Sequence, residues 1–125
     1  MATILIVEDN EKNMKLVRDI LAFQGHQVLE AVTGEDGVRL AVEHVPQLVL
    51  MDIQLPDING VEALARIRAE PALAAVPVLA VSASVMPDQQ QRITSSGFDA
   101  FIAKPISVKP FLAAVGAALA KGRTP

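Results

Sequence analysis

The chain has 125 residues, 51% of them hydrophobic and 20% charged, which fits one ordinary domain and excludes a disordered tail. It holds no Cys, so a disulfide scaffold, a thiolate metal site and a cysteine nucleophile are excluded together. Eleven Lys and Arg against 14 Asp and Glu give −3, and with four Phe and no Tyr or Trp the chain is a poor match to nucleic acid, by charge or by base stacking.

The N-terminus has no basic region and turns acidic at Glu8, so it does not read as a secretory signal. The first apolar run is Ile4 to Val7, followed by Glu8 and Asp9. Met14, Val17 and Leu21 then form a helical stripe, and Gly25 supplies its stop. A second strand-length run covers Gln27 to Val32. Thr33-Gly34-Glu35-Asp36 resembles a capping box with Asp in place of Glu, and opens a stripe of Val38, Ala41, Val42 and Val45. Leu48 to Met51 is the third run, ended by Asp52. Asn59 is a good N-cap, with Glu62 three residues on, for a helix carrying Val61, Leu64 and Ile67.

Val76 to Val81 is the fourth run, with Ser82 next. The longest charge-free stretch, residues 71–87, is broken at Pro77 and is too short and too interrupted to span a bilayer, so a cytoplasmic location is expected. Residues 88–96 form the weakest helix, with Ile93 as its one large apolar residue and Gly97 as its end. Phe101 to Ala103 is a short fifth strand, and Lys104 follows it. The last helix follows Ser107, tolerates Pro110 in its first turn and carries Phe111, Leu112, Val115 and Leu119. Residues 1–121 are expected to form the domain, and 122–125 a frayed tail with no effector domain.

Five strands alternating with five helices predict one doubly wound, five-stranded parallel sheet of the α/β class. In such a sheet the chemistry gathers beyond the carboxyl ends of the strands. Glu8, Asp9, Asp52, Ser82 and Lys104 all stand at those ends, on four different strands. Three carboxylates in one cleft repel by roughly 4 kcal/mol per pair at 4 Å and an effective dielectric near 20. Lys104 and a divalent cation would bring that −3 to zero. All-oxygen ligands select a hard ion, and Mg²⁺ is the small one that keeps waters. Asp9 suits direct ligation, and the longer Glu8 suits contact through water. Asp52, on the innermost run, is the candidate nucleophile for a phosphoryl group.

Val7-Glu8-Asp9-Asn10, Met51-Asp52-Ile53-Gln54-Leu55-Pro56, Asn59-Gly60, Val81-Ser82-Ala83 and Lys104-Pro105 resemble the motifs of two-component response regulator receiver domains, over nearly the whole chain. The resemblance implies a flavodoxin-like (βα)5 fold with strand order 2-1-3-4-5. It implies that Asp52 accepts a phosphoryl group from a phosphohistidine of a histidine kinase or phosphotransferase. Asp9, Asp52 and the Gln54 backbone carbonyl would ligate Mg²⁺, with Glu8 near the metal. Lys104 would contact the phosphoryl group, across a cis Lys104–Pro105 bond. Ser82 would be the switch hydroxyl and Phe101 the coupled aromatic. Their coupling would alter the face made by the fourth helix, fifth strand and fifth helix, where a downstream protein binds. Glu8, Ser82 and Phe101 stand where the commonest pattern has Asp, Thr and Tyr. Glu8-Asp9-Asn10-Glu11, Asp52-Ile53-Gln54-Leu55-Pro56 and Lys104-Pro105-Ile106-Ser107 further resemble the single-domain regulators of cell division and polarity, and receivers of hybrid histidine kinases share much of this pattern.

Two other classes fit the sequence less well. An aspartate-nucleophile phosphohydrolase resembling the haloacid dehalogenases would carry a second Asp two residues after the nucleophile, and Gln54 stands there. A receiver-like binding module that takes no phosphate would lack an acid or the Lys, and here each is in place.

Overall fold

The computed structural model describes residues 2–83 and 87–121. The strands are β1 (Thr3–Val7), β2 (Gln27–Ala31), β3 (Leu48–Asp52), β4 (Val78–Ser82) and β5 (Ala100–Ala103). The helices are α1 (Glu11–Phe23), α2 (Gly34–His44), α3 (Gly60–Arg68), α4 (Pro87–Ser95) and α5 (Val108–Lys121). All strands pair in parallel, in the order β2-β1-β3-β4-β5, as the resemblance implies. The expected tail at 122–125 lies outside the described residues.

The sheet is covered on both faces, which explains the near-continuous apolar runs of β1, β3 and β4. On one face Ile4, Ile6, Leu48, Leu50, Leu79, Val81 and Ile102 pack against Met14, Val17 and Leu21 of α1 and Phe111 and Val115 of α5. On the other, Leu5, Val7, Val49, Met51 and Ala80 pack with Ala41 of α2, Leu64 and Ile67 of α3 and Phe98. Caps fall where the sequence placed them. Thr33 Oγ1 accepts the Asp36 N–H at 3.1 Å, and Asn59 Oδ1 accepts that of Glu62 at 2.8 Å. Gly25 follows α1 at φ 87°.

Three local expectations are corrected. Val42 and Val45 do not face the core: both are exposed, and α2 instead buries the small residues Gly34, Gly37 and Ala41. Its apolar valines are too few and too scattered to fix the helix rotation against the closely packed sheet. The fourth strand starts at Val78, not Val76, because Pro77 has no N–H and Val76 donates back to Leu73 O, the last residue of a 3-10 turn, Pro71–Leu73. Val32 lies beyond β2 and is 56% exposed. A long-range clasp also escaped the local patterns. Arg68 donates to Val76 O at 2.8 Å and pairs with Asp99 at 3.0 Å, and Asp99 accepts the Val78 N–H at 2.8 Å.

Two glycines predict opposite outcomes. A Cβ at Gly60 would fall 2.5 Å from the Asp52 carbonyl oxygen and 2.9 Å from Ile53 Cα, both backbone atoms, whereas one at Gly116 meets nothing within 4 Å. Gly60→Ala should therefore destabilise by about 1–3 kcal/mol, and Gly116→Ala, inside α5, should stabilise by roughly 0.5–1 kcal/mol. Urea midpoints of the two variants against the parent check both signs.

Candidate functional site

In this strand order the chain turns to opposite sides after β1, so the crevice opens between the carboxyl ends of β1 and β3. Period-2 alternation then decides which side chains meet there. Ile4, Ile6 and Glu8 share a parity, as do Leu48, Leu50 and Asp52, and Ile102 and Lys104. Each polar group therefore lies one step beyond a column of apolar residues under α1 and α5. Glu8 and Asp52 are only 4% and 5% exposed, so both carboxyls need partners.

Lys104 is the shared partner. Its Nζ lies 2.8 Å from Glu8 Oε1 and 2.9 Å from Asp52 Oδ2. Glu8 Oε2 accepts the Asn10 N–H at 3.1 Å, and Asp52 Oδ1 accepts the Gln54 N–H at 3.0 Å. The Lys104 N–H donates to Ser82 O at 2.9 Å, which ties the end of β5 to the end of β4, and the Lys104–Pro105 peptide is cis. Asp9 is exposed, and one carboxylate oxygen each from Glu8, Asp9 and Asp52 lies within 4.8 Å of the others. The cleft of about 620 Å³ around them is also lined by Asn10, Asn13, Gln54, Leu55, Pro56 and Ala83. The donor set is oxygen throughout and carries −3 against the one ammonium, which fits a hard divalent cation such as Mg²⁺.

Glu8, Asp9, Asp52, Gln54 and Lys104 are thus brought together. Ser82 and Phe101 have the opposite parity along their strands. Ser82, 8% exposed, aligns with Ala103, and Phe101 aligns with Ala80 and packs on the α2–α3 core. Asp57 was missed. Its two carboxylate oxygens accept the N–H groups of Gly34 at 2.8 Å and Glu35 at 2.9 Å, which opens α2. The signal available was Pro56-Asp57, a turn pair whose Asp seeks backbone donors, but nothing local names donors 22 and 23 residues away.

A family model of the response regulator receiver domain matches residues 4–116. The chain belongs to the response regulator receiver domain family. The receiver is 43% identical over 110 residues to the polar-differentiation response regulator DivK of Brucella ovis, covering 88% of this chain and 89% of that one. Its fold matches a response regulator from Chloroflexus aurantiacus with a TM-score of 0.91 at 25% identity, covering 96% and 98% of the two chains. It also matches the receiver domain of a sensor histidine kinase from Pseudomonas aeruginosa, solved with a magnesium ion in its active-site cleft, at a TM-score of 0.89 and 27% identity over 96% and 98%. Among the described residues no helix of this receiver is long and apolar enough to cross a membrane.

The electrostatics of the receiver's cleft make a pH prediction. Burial, helped by a hydrogen bond to Asp52 and opposed by Lys104 and the Asn10 amide, pushes the Glu8 carboxyl up from 4.5 to about 7. Burial also opposes charge on Lys104, but its pairs with Glu8 and Asp52 outweigh that and hold its ammonium above the ordinary value. Between pH 4.5 and about 7 the folded chain keeps a Glu8 proton that the unfolded chain releases. In chelator, Glu8's share of the stability should fall as pH rises through that window, by on the order of 3 kcal/mol in all. Urea unfolding at a series of pH values should show this slope, and Glu8→Gln should remove most of it.

Proposed function

We propose that this receiver accepts a phosphoryl group on Asp52 from the phosphohistidine of a histidine kinase or phosphotransferase, and that the modification switches a protein-binding face. The observation that carries this reading is the pairing of Lys104 with a nearly buried Asp52 at 2.9 Å, inside a cluster with Glu8 and Asp9. Only one Asp52 oxygen is held by the ammonium and the other by an amide, so the carboxylate is oriented for attack. In the transfer the Asp52 oxygen bonds to phosphorus, the phosphorus–nitrogen bond breaks, and the imidazole leaves with its electron pair.

Asp9, Asp52 and the Gln54 backbone carbonyl are the residues that would hold Mg²⁺, with Glu8 acting through water. Bound there, the ion supplies positive charge to the phosphoryl oxygens. Glu8 suits the outer role because, unlike the exposed Asp9, it is buried and held by Lys104 and the Asn10 N–H. Lys104 shifts from a carboxylate partner to the phosphoryl group and neutralises its added charge. Ser82 then donates its hydroxyl to the same oxygens. Phe101 shares Ser82's side of the sheet and follows into the space that the hydroxyl leaves, altering the α4–β5–α5 face. The likeness to DivK, with matching coverage of both chains, supports a regulator of polarity or cell division that acts through protein partners in the cytoplasm.

Incubation with a small phosphodonor and Mg²⁺, read by intact mass, tests the acceptor. The parent chain should gain one acid-labile phosphoryl group and Asp52→Asn none. Stoichiometric phosphate on Asp52→Asn would overturn the assignment. Asp9→Ala should lose most Mg²⁺ affinity and most phosphorylation, both measurable in the same titration.

Ser82→Ala should still take phosphate, because Lys104 and the metal remain. It should respond weakly, since a charge-assisted hydrogen bond of about 1.5–3 kcal/mol, or roughly tenfold or more in the shifted equilibrium, is lost. Amide exchange around Phe101, with and without beryllofluoride, reads the difference. A full parental change in Ser82→Ala would place the signal elsewhere.

A further inference from the structure

The loop between β3 and α3 carries Gln54 between two anchors. On one side the Gln54 N–H donates to Asp52 Oδ1 at 3.0 Å. On the other, three residues on, the Asp57 carboxylate grips the first two N–H groups of α2, at 2.8 Å from Gly34 and 2.9 Å from Glu35. Leu55 and Pro56 join the two. The Pro56 ring fixes its own φ and confines Leu55 to extended conformations, so the segment is a stiff strut, and a shift at Asp57 is passed to Gln54.

The loop also lies in close contact with α2. A Cβ at Gly34 would overlap Ile58 Cγ1 and fall 3.3 Å from Ile58 O, so only the absence of a side chain there lets the two segments meet. The helix already has a cap of its own, since Thr33 Oγ1 takes the third N–H, that of Asp36, at 3.1 Å. Asp57 thus adds a long-range tie to a helix end that its own neighbour begins to satisfy.

We propose that Asp57 is a positioning residue for the cation site: by latching the loop onto α2 it holds the Gln54 backbone carbonyl at the cleft. This rests on the reading of the cleft as a Mg²⁺ site with that carbonyl among its donors. The amides of Glu35 and Gly34 hold the Asp57 carboxyl down to about 2, so the latch stays closed across the working pH range. Loss of partners that orient a metal ligand commonly weakens binding 10- to 100-fold, and a latch acting through two intervening residues belongs at the low end, about tenfold.

The test compares Asp57→Ala with Thr33→Ala. Both remove an acceptor from the N-terminus of α2 and both lower stability, but only the first frees the loop. Mg²⁺ is titrated into each folded protein and into the parent, followed by backbone amide shifts of residues 52–58. Asp57→Ala should bind Mg²⁺ about tenfold more weakly, and Thr33→Ala within about twofold of the parent. If Asp57→Ala fails to fold, Asp57→Asn, which keeps one acceptor oxygen, carries the same comparison with a smaller loss. Parental affinity in the Asp57 variant, or an equal loss in Thr33→Ala, overturns the latch while leaving the cation site standing. No Mg²⁺-dependent shift in the parent overturns the reading of the cleft and the latch with it.

Discussion

Everything at the working end of this receiver depends on one ammonium held between two nearly buried carboxyls. Glu8 and Asp52 sit at the ends of adjacent strands, and at about 4 Å and an effective dielectric near 20 their charges repel by roughly 4 kcal/mol. Lys104 reaches both, at 2.8 and 2.9 Å, and its two attractions offset that repulsion. Burial, more than its neighbours' charge, raises the Glu8 carboxyl, and with Asp9 the cluster holds three carboxyl groups against one ammonium, which leaves a place for a divalent cation. The resting site is thus charged, oriented and incompletely neutralised. That is the condition in which an added phosphoryl group and cation change the local balance most.

The fold supplies this arrangement through topology and parity. Reversal of the strand order between β1 and β3 opens the crevice, and period-2 alternation sends Glu8, Asp52 and Lys104 to the α1–α5 side. Ser82 and Phe101 have the other parity, towards the α2–α3 core. The two groups meet at the end of β4, where Ser82 O accepts the Lys104 N–H at 2.9 Å. Close backbone contact at Gly60 fixes the start of α3 on the Asp52 carbonyl, so the end of β3 has little freedom to move. Response to a ligand then falls to the less tightly held side chains around it.

The sheet and most of the site were legible because buried strands are apolar until they end. Asp52, Ser82 and Lys104 each mark a place where an apolar run stops, and they stop at the same edge. The caps at Thr33 and Asn59 were legible because their bonds span three residues. What stayed hidden was non-local. The partners of Asp57 lie 22 and 23 residues away and that of Arg68 lies 31 away, and no periodicity carries such pairings. The rotation of α2 was misread for a related reason. Valine spacing marks one face of α2, but Gly37 lies against Val7 and Gly34 against Ile58, so with Ala41 the small residues set the rotation and leave Val42 and Val45 in solvent.

The most direct test of the charge-balance account is a crystal structure grown with Mg²⁺ and beryllofluoride. The account predicts beryllium on an Asp52 oxygen, a metal ion against Asp9, Asp52 and the Gln54 carbonyl, and Lys104 turned from its carboxylate partners to a fluorine. Lys104 still bound to both Glu8 and Asp52, with no ion beside Asp9, would contradict it.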